Sequence, residues 1–296
     1  MRPWLRPSRR AVATSDGGRR VTVRDDRIRP FTRAVAVLVL PFLVVAVVLL
    51  YLLPHRTEQL FAWTIAPPLT SMLLASAYVG GIWFFVRVLV GRRWHRVKYG
   101  FPAVLLFAVL LGTATLLHWD RFHHGHVSFI AWSVLYLVTP VLVAAVLVVD
   151  WRADPGVPEE RDLRIPTAAR IVLAVVGGAA LLCGASMFLL PEHTTRLWAW
   201  ETTPLTARVV GAVLTLPGAV NLWLLRETRW SAMREVVQAE IVSLLFIAVA
   251  LAVSVRDLEW ERPAAAAVVG GILVSLLGFA SFYVWCERRL RRDINP

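Results

Sequence analysis

The chain has 296 residues, of which 57% are hydrophobic and only 18% are charged, and its mean hydropathy is +0.62. Soluble domains average roughly 45–50% apolar and about 25% charged residues, and here the apolar excess is concentrated in long uncharged runs. This composition excludes a soluble globular enzyme, a disordered protein and a disulfide scaffold. The net charge of +12 alone would suggest nucleic acid, but the arginines lie between apolar runs, so we expect no nucleic-acid partner.

Eight apolar runs are long enough, or nearly so, to form membrane-spanning helices, because about 20 residues rising 1.5 Å each cross roughly 30 Å of hydrocarbon. The seventh run is the weakest. Its uncharged part begins only at Ile241, so it must carry Glu240 into the membrane boundary to reach full length. The predicted spans are residues 33–53, 67–89, 100–118, 127–149, 170–190, 204–225, 236–255 and 263–286.

Basic residues are distributed unevenly among the segments that connect the spans. Of 32 arginines and lysines, 26 fall in the terminal segments and in every second loop, and six fall in the remaining loops. The positive-inside rule therefore places both termini, the basic arm 1–30 and the basic tail 288–296, in the cytoplasm. The anionic lipid of the inner leaflet is the expected partner of this charge.

An internal repeat is the most specific feature of the sequence. Residues 52–57 (LLPHRT) reappear 137 positions later as residues 189–194 (LLPEHT), and Pro-Leu-Thr at 68–70 reappears at 204–206. Each half contains four spans, an even number, so both halves enter the membrane in the same direction. We therefore predict an all-α integral membrane fold of eight transmembrane helices in two parallel four-helix repeats, residues 31–150 and 170–287, with a cytoplasmic linker at 151–169.

The repeated outer segment contains tryptophan and proline at matching positions. Proline suits the first turn of a helix, and tryptophans near the span ends are typical of the interfacial aromatic belt. The alternative is that the two copies form a symmetric outer gate or binding rim. The rim residues are Trp63, Pro68, Thr70, Trp200, Pro204 and Thr206.

Three short motifs carry a family resemblance. They are Ala-Trp-x-x-x-Pro-Pro-Leu-Thr at 62–70, its copy at 199–206, and the segment Leu117–Phe122. With these motifs the chain resembles uncharacterised bacterial multi-pass membrane proteins over most of residues 31–289. The resemblance implies eight helices in a bacterial inner membrane and no known activity, and it assigns a function to no residue.

One outer loop is rich in histidine. Imidazole and carboxylate groups can bind Zn, Cu or Fe, and short histidine-rich tracts can hold metal. The spacing matches no standard zinc or haem motif, so the main interpretation is a solvated loop without a cofactor, and a metal site is the alternative. The candidate ligands are His118, Asp120, His123, His124 and His126.

Three polar residues within the spans are candidates for substrate binding or ion coupling. Asn221 and Glu240 are expected at similar depth on consecutive helices, where they could hydrogen-bond. An ionisable group inside a span suggests function. The alternative is that Glu240 reaches the boundary or pairs with Arg229 or Arg234. Arg208, near the outer end of the sixth span, could meet an anionic group, or it pairs with Glu201 or with lipid headgroups.

Prolines and glycines within the spans indicate where helices bend or approach closely. Pro217-Gly218, just before Asn221, could shape a cavity or a hinge. The glycine pairs 80–81, 177–178 and 270–271 are expected to allow close helix packing. The sixth span is therefore the best candidate for a substrate-facing helix.

The sequence has no phosphate-binding lysine loop, zinc-protease motif or nucleophile elbow. We interpret the chain as a passive or secondary transporter or a small-molecule-binding membrane protein. One alternative is a non-catalytic membrane scaffold or assembly partner, whose protein partner the sequence does not identify. Another is a metal- or haem-linked membrane enzyme that uses the outer histidines.

Overall fold

The computed structural model describes residues 25–292, and this part of the chain contains eight helices that are long and apolar enough to cross a membrane. The prediction of an all-α polytopic membrane protein is therefore confirmed. Most of the predicted basic arm, residues 1–24, and the last residues of the tail, 293–296, lie outside the described part. The helices are α1 (Pro30–Val47, extended by a π-helical turn to Leu52), α2 (Pro68–Val90), α3 (Gly100–Leu117), α4 (Val127–Asp150), α5 (Thr167–Leu189), α6 (Pro204–Asn221, extended by a 3-10 turn to Leu225), α7 (Trp230–Val253) and α8 (Pro263–Arg292).

Helix starts follow the proline signals, and one predicted start is wrong. Pro68 and Pro204 are the first residues of α2 and α6, as expected. The seventh helix begins at Trp230 instead of residue 236, because two charged residues in its first turns are paired and do not end it. Arg234 contacts Glu287 at 2.7 Å, and Glu235 is paired with Arg87 of α2.

The helices pack in a pattern that joins the two halves of the chain. Within the halves, α1 packs on α2, α3 on α4, α5 on α6, and α7 on α8. Between the halves, α2 packs on α7, and α3 packs on α6. These two contacts are equivalent under a twofold rotation that exchanges α2 with α6 and α3 with α7. One contact departs from this pattern: α4 also packs on α1, whereas α8 and α5 make at most a marginal contact.

Loop contacts recur at the spacing of the predicted duplication. The amide of Ile28 donates to the carbonyl of Arg92, and the amide of Ile165 donates to the carbonyl of Thr228. At the opposite end of the bundle, the amides of residues 123 and 259 donate to the carbonyls of residues 62 and 199. Loops assigned to the same side from their charge therefore meet at the same end. The two-repeat arrangement itself stays a prediction.

Two of the three glycine pairs allow close helix packing. A side chain at Gly177 would meet Asn221 and the backbone of α6, and one at Gly80 would meet Ala239 and Ser243 of α7. The prediction for the pair 270–271 is wrong, because a Cβ at either position would have no neighbour within 4 Å. These glycines of α8 face open space, where the bundle has a gap.

The tryptophans differ from a simple interfacial belt. Trp63, Trp94, Trp200 and Trp230 are at most 1% exposed, so the belt prediction is wrong for them. The connecting loops fold back over the helix ends, and these rings fill the ends of the bundle. Trp119 and Trp260, which are 42% and 55% exposed, fit the belt interpretation.

Candidate functional site

A cavity of about 890 Å³ lies inside the bundle and is lined by residues from all eight helices. Its walls are almost wholly apolar, and its volume is in the range of small-molecule sites. On one side it is bounded by α5, through Val176, Ala180 and Cys183, and by α8, through Val268 and Gly271. Because these two helices hardly touch, the cavity lies beside a gap in the second half.

Glu240 provides the one carboxylate that lines the cavity among residues 25–292. The amide nitrogen of Asn221 donates to both of its oxygens, at 3.0 and 3.2 Å, so the predicted hydrogen bond is confirmed. Asn221 is fully buried, and its Oδ1 has no hydrogen-bond partner. Glu240 is thus the one charged side chain among the described residues that line the cavity.

The expected pairing of Glu240 with Arg229 or Arg234 is wrong. Arg229 binds Asp154 and Glu227 instead, and Arg234 binds Glu287. Glu240 lies about 15 Å along α7 from its start at Trp230, and the alternative that its carboxylate reaches the membrane boundary stays a prediction. The role of Glu240 and Asn221 in binding or coupling stays a prediction.

Arg208 contacts a histidine and not Glu201, and its expected contact with an anionic group or lipid headgroups stays a prediction. Its Nη1 lies 2.5 Å from Nε2 of His118, at the outer end of the α3–α6 contact, and no bond to Glu201 is formed in the described structure. Burial, together with the charge of Arg208, lowers the pKa of His118, so the neutral ring accepts a hydrogen bond from the guanidinium. The Nε of Arg208 is buried without a partner.

The outer histidines do not converge. Across residues 25–292, no group of three or more His, Cys, Asp or Glu side chains is placed to hold a metal ion. Each candidate ligand instead has its own local contact. His118 contacts Arg208, Asp120 pairs with Arg121, His123 contacts Thr64 and the Phe61 carbonyl, His124 packs on Trp119 and Phe129, and His126 contacts Ser128.

The two copies of the rim are joined by one direct bond. Nε1 of Trp200 donates to Oγ1 of Thr70 at 2.8 Å, across the two halves of the chain. Thr203 caps the start of α6, and Thr206 completes the capping box by exchanging hydrogen bonds with it. Trp63 packs against Trp132, with ring centroids 4.6 Å apart. Of the rim residues Trp200 alone lines the cavity, so the two copies have different surroundings, and their role as a gate or binding rim stays a prediction.

A buried charge network at the opposite end of the bundle was not predicted from the sequence. The guanidinium of Arg229, 6% exposed, donates to Asp154 and Glu227 at 2.6–3.0 Å. Tyr99 donates to Glu227 at 2.7 Å, and Lys98 lies 3.2 Å from Asp154. Acids embedded in otherwise basic loops were the available signal for this network.

Arginine dominates the electrostatics of this network. Burial alone would raise the pKa of Asp154, but hydrogen bonds from Arg229 and from the Gly156 amide lower it well below its usual range. The pKa of Glu227 is lowered in the same way, against the effect of burial, by bonds from Arg229 and Tyr99. Both carboxylates are therefore ionised at neutral pH, and their ion pairs with Arg229 hold the loops together at this end of the bundle.

A second missed residue is His95, the one histidine among the basic loops. It is 2% exposed, and its Nδ1 lies 2.6 Å from Asp26 while its Nε2 lies 2.9 Å from Glu159. These contacts tie the segment before α1 to the linker between the halves. Together with the Arg229 network, they close this end of the bundle with paired charges.

Comparison with models of protein families, with curated proteins and with solved structures gave no match. The resemblance to bacterial multi-pass membrane proteins therefore stays a prediction, and the function is argued from the geometry.

Proposed function

We propose that this polytopic membrane protein binds a small hydrophobic molecule in the cavity and acts as a passive or secondary transporter for it. The proposal rests on the cavity of about 890 Å³, which adjoins the gap between α5 and α8 and reaches Glu240. Apolar walls favour an apolar ligand, and the Glu240 carboxyl can orient it.

The surroundings of the cavity support passage through the membrane. Pro217 of α6 lines it, and a proline inside a helix removes a backbone hydrogen bond and permits bending. The inner end is covered by the paired charges around Arg229 and His95. A ligand would therefore reach the cavity from the lipid, between α5 and α8. It would leave when the loops that close one end of the bundle move aside.

Filling the cavity tests the proposed binding. The probe is 1-N-phenylnaphthylamine, a neutral dye that becomes fluorescent in apolar surroundings, and the variant is Gly271→Trp. Because the indole would occupy cavity space, we expect binding to purified protein to weaken about tenfold. Gly270→Trp is the matched control, since that position also has open space but is not among the described cavity-lining residues. Equal binding by both variants would contradict the proposed site.

Dye loss from cells tests transport. Cells that express the chain are loaded with 1-N-phenylnaphthylamine or with the cationic dye rhodamine 6G, and the decline in fluorescence is followed. We expect faster loss of at least one dye than in cells lacking the protein. Glu240→Gln is expected to abolish the protein-dependent part while the variant remains in the membrane fraction. If expression accelerates neither dye, transport is contradicted.

We further propose that both termini lie in the cytoplasm of a bacterial inner membrane. This rests on the 26 basic residues assigned to one side and on the contacts among those loops. Anionic headgroups would then be the partners of that face. A cysteine added at the C-terminus should react with an impermeant maleimide only after cells are opened, and labelling of intact cells would contradict this orientation.

One observation favours a scaffold as the second candidate function. Helix α8 packs mainly on α7 and leaves Leu273, Val274 and Leu277 exposed, so this face could hold a partner helix as well as lipid. Purification in mild detergent is the test. A stoichiometric partner lost on Leu277→Arg, at an exposed position that does not line the cavity, would support the scaffold, and a chain purified alone would count against it.

A further inference from the structure

Glu240 lacks a positively charged partner. Its carboxylate accepts hydrogen bonds from Asn221 only, and no ion pair with a described Lys, Arg or His is formed. The basic side chains at the inner ends of neighbouring helices are already engaged, Arg87 with Glu235 and Arg234 with Glu287. A carboxylate at this depth must therefore carry a proton or be neutralised by a cation from outside the chain, because a bare charge is strongly disfavoured in hydrocarbon.

The side-chain oxygen of Asn221, beside Glu240, also has no hydrogen-bond donor. Oδ1 of Asn221 is buried and accepts no hydrogen bond in the described structure. Because Asn221 is fully buried and only Glu240 lines the cavity, the acceptor oxygens that a ligand in the cavity would meet are those of the Glu240 carboxylate, which the Asn221 NH2 group holds in place. This arrangement suits a positively charged ligand or a proton and would repel an anion.

The rest of the cavity is unsuited to an inorganic ion. Such ions need several oxygen ligands, whereas Glu240 is surrounded mainly by carbon. Aromatic rings are abundant in the walls, and ring faces attract organic cations. The aromatic lining residues are Tyr78, Phe84, Phe85, Phe107, Tyr136, Trp198, Trp200 and Phe279.

We propose that the ligand is a bulky hydrophobic organic cation, which enters between α5 and α8 and exchanges with a proton on Glu240. This inference rests on the proposed function and assigns the substrate class of the same cavity. When the cation binds, the Glu240 carboxyl releases one proton, and its carboxylate becomes the counter-ion. Other titratable groups that line the cavity are Tyr78 of α2, Tyr136 of α4 and Cys183 of α5. The lining residues described from α1, α3, α6 and α8 are uncharged.

A pair of probes of matched size and opposite charge tests the substrate class. Tetraphenylphosphonium and tetraphenylborate are measured by equilibrium dialysis against purified protein, with protein-free micelles as the blank. We expect saturable binding of the phosphonium and none of the borate. Phosphonium binding should tighten with rising pH by up to about tenfold per pH unit where the carboxyl titrates. Calorimetry in two buffers of different ionisation enthalpy should report about one proton released per cation bound.

Variants separate this inference from the proposed function. Glu240→Gln keeps the side-chain shape, so it should still bind neutral 1-N-phenylnaphthylamine but bind the phosphonium at least about 30-fold more weakly and without proton release. Glu261→Gln, an exposed acid of an outer loop, is the control and should bind like the wild type. Equal binding of both ions, or phosphonium binding unaffected by Glu240→Gln, would overturn the cation assignment while leaving the cavity intact. If Gly271→Trp instead left the binding of neutral 1-N-phenylnaphthylamine unchanged, the proposed function would be overturned.

Discussion

Removing Arg229 should expose how much of the stability resides in the inner charge network. In the structure its guanidinium bridges two carboxylates, Asp154 and Glu227, that are 5% and 7% exposed. Truncating one member of a buried ion pair costs about 3–5 kcal/mol, because the remaining charge stays buried without its partner. Lys98 would still lie 3.2 Å from Asp154, so we expect Arg229→Ala to cost about 3 kcal/mol, the lower end of that range.

Thermal unfolding of detergent-purified protein, followed by tryptophan fluorescence, measures this loss. A cost of about 3 kcal/mol corresponds to a melting temperature lower by roughly 6–12 °C. Arg229→Lys should recover only part of it, because an ammonium group cannot bind two carboxylates with the fork of a guanidinium. The control is Arg121→Ala, whose partner Asp120 is exposed, and it should change little. If Arg229→Ala melted within about 2 °C of the wild type, the reasoning would be refuted.

Three further predictions concern pH and packing. The pKa values of Asp154 and Glu227 are lower in the folded chain than the unfolded values near 4, so the stability from these groups is complete above about pH 5 and is lost as pH falls. Melting temperatures between pH 5 and pH 3 should therefore decline less steeply in Asp154→Asn than in the wild type, and parallel declines would contradict this. Gly184→Ala should destabilise the protein by about 1–3 kcal/mol, because its Cβ would meet the Gly211 backbone. The control Gly278→Ala, at an open position, should be neutral or slightly stabilising. Equal melting temperatures for the two variants would refute the close α5–α6 contact. Trp200→Phe should cost about 1 kcal/mol by removing the bond to Thr70, with no change if that bond does not form in the membrane.

Much of the fold could be predicted from the sequence because hydropathy and charge report directly on membrane spans. The eight helices and the proline starts at Pro68 and Pro204 follow from local composition. The start of α7 was misplaced because its charges are neutralised by Arg87 and Glu287, partners far away in sequence. A rule based on local charge cannot include such pairing.

The candidate site was predictable only in part. The Asn221–Glu240 bond followed from equal depth on consecutive helices, and depth can be counted from the sequence. The outer histidines looked like a cluster because they are neighbours in the sequence, but only the rings of His123 and His126 lie beside each other, and no three of the described candidate ligands form a metal-binding group. The cavity depends on α5 and α8 making at most a marginal contact. This arises from how all the helices pack together, so the sequence of any one helix could not predict it.

Modification of Glu240 by a hydrophobic carbodiimide tests the central claim most directly. Dicyclohexylcarbodiimide reacts with protonated carboxyl groups that it can reach from lipid, and the adduct is located by mass spectrometry of membrane-embedded protein. We predict an adduct on Glu240, suppressed by tetraphenylphosphonium or by Gly271→Trp, and none on Glu235, which is buried and paired with Arg87. An unmodified Glu240, or equal modification of Glu235, would contradict a lipid-accessible cavity with an unpaired acid.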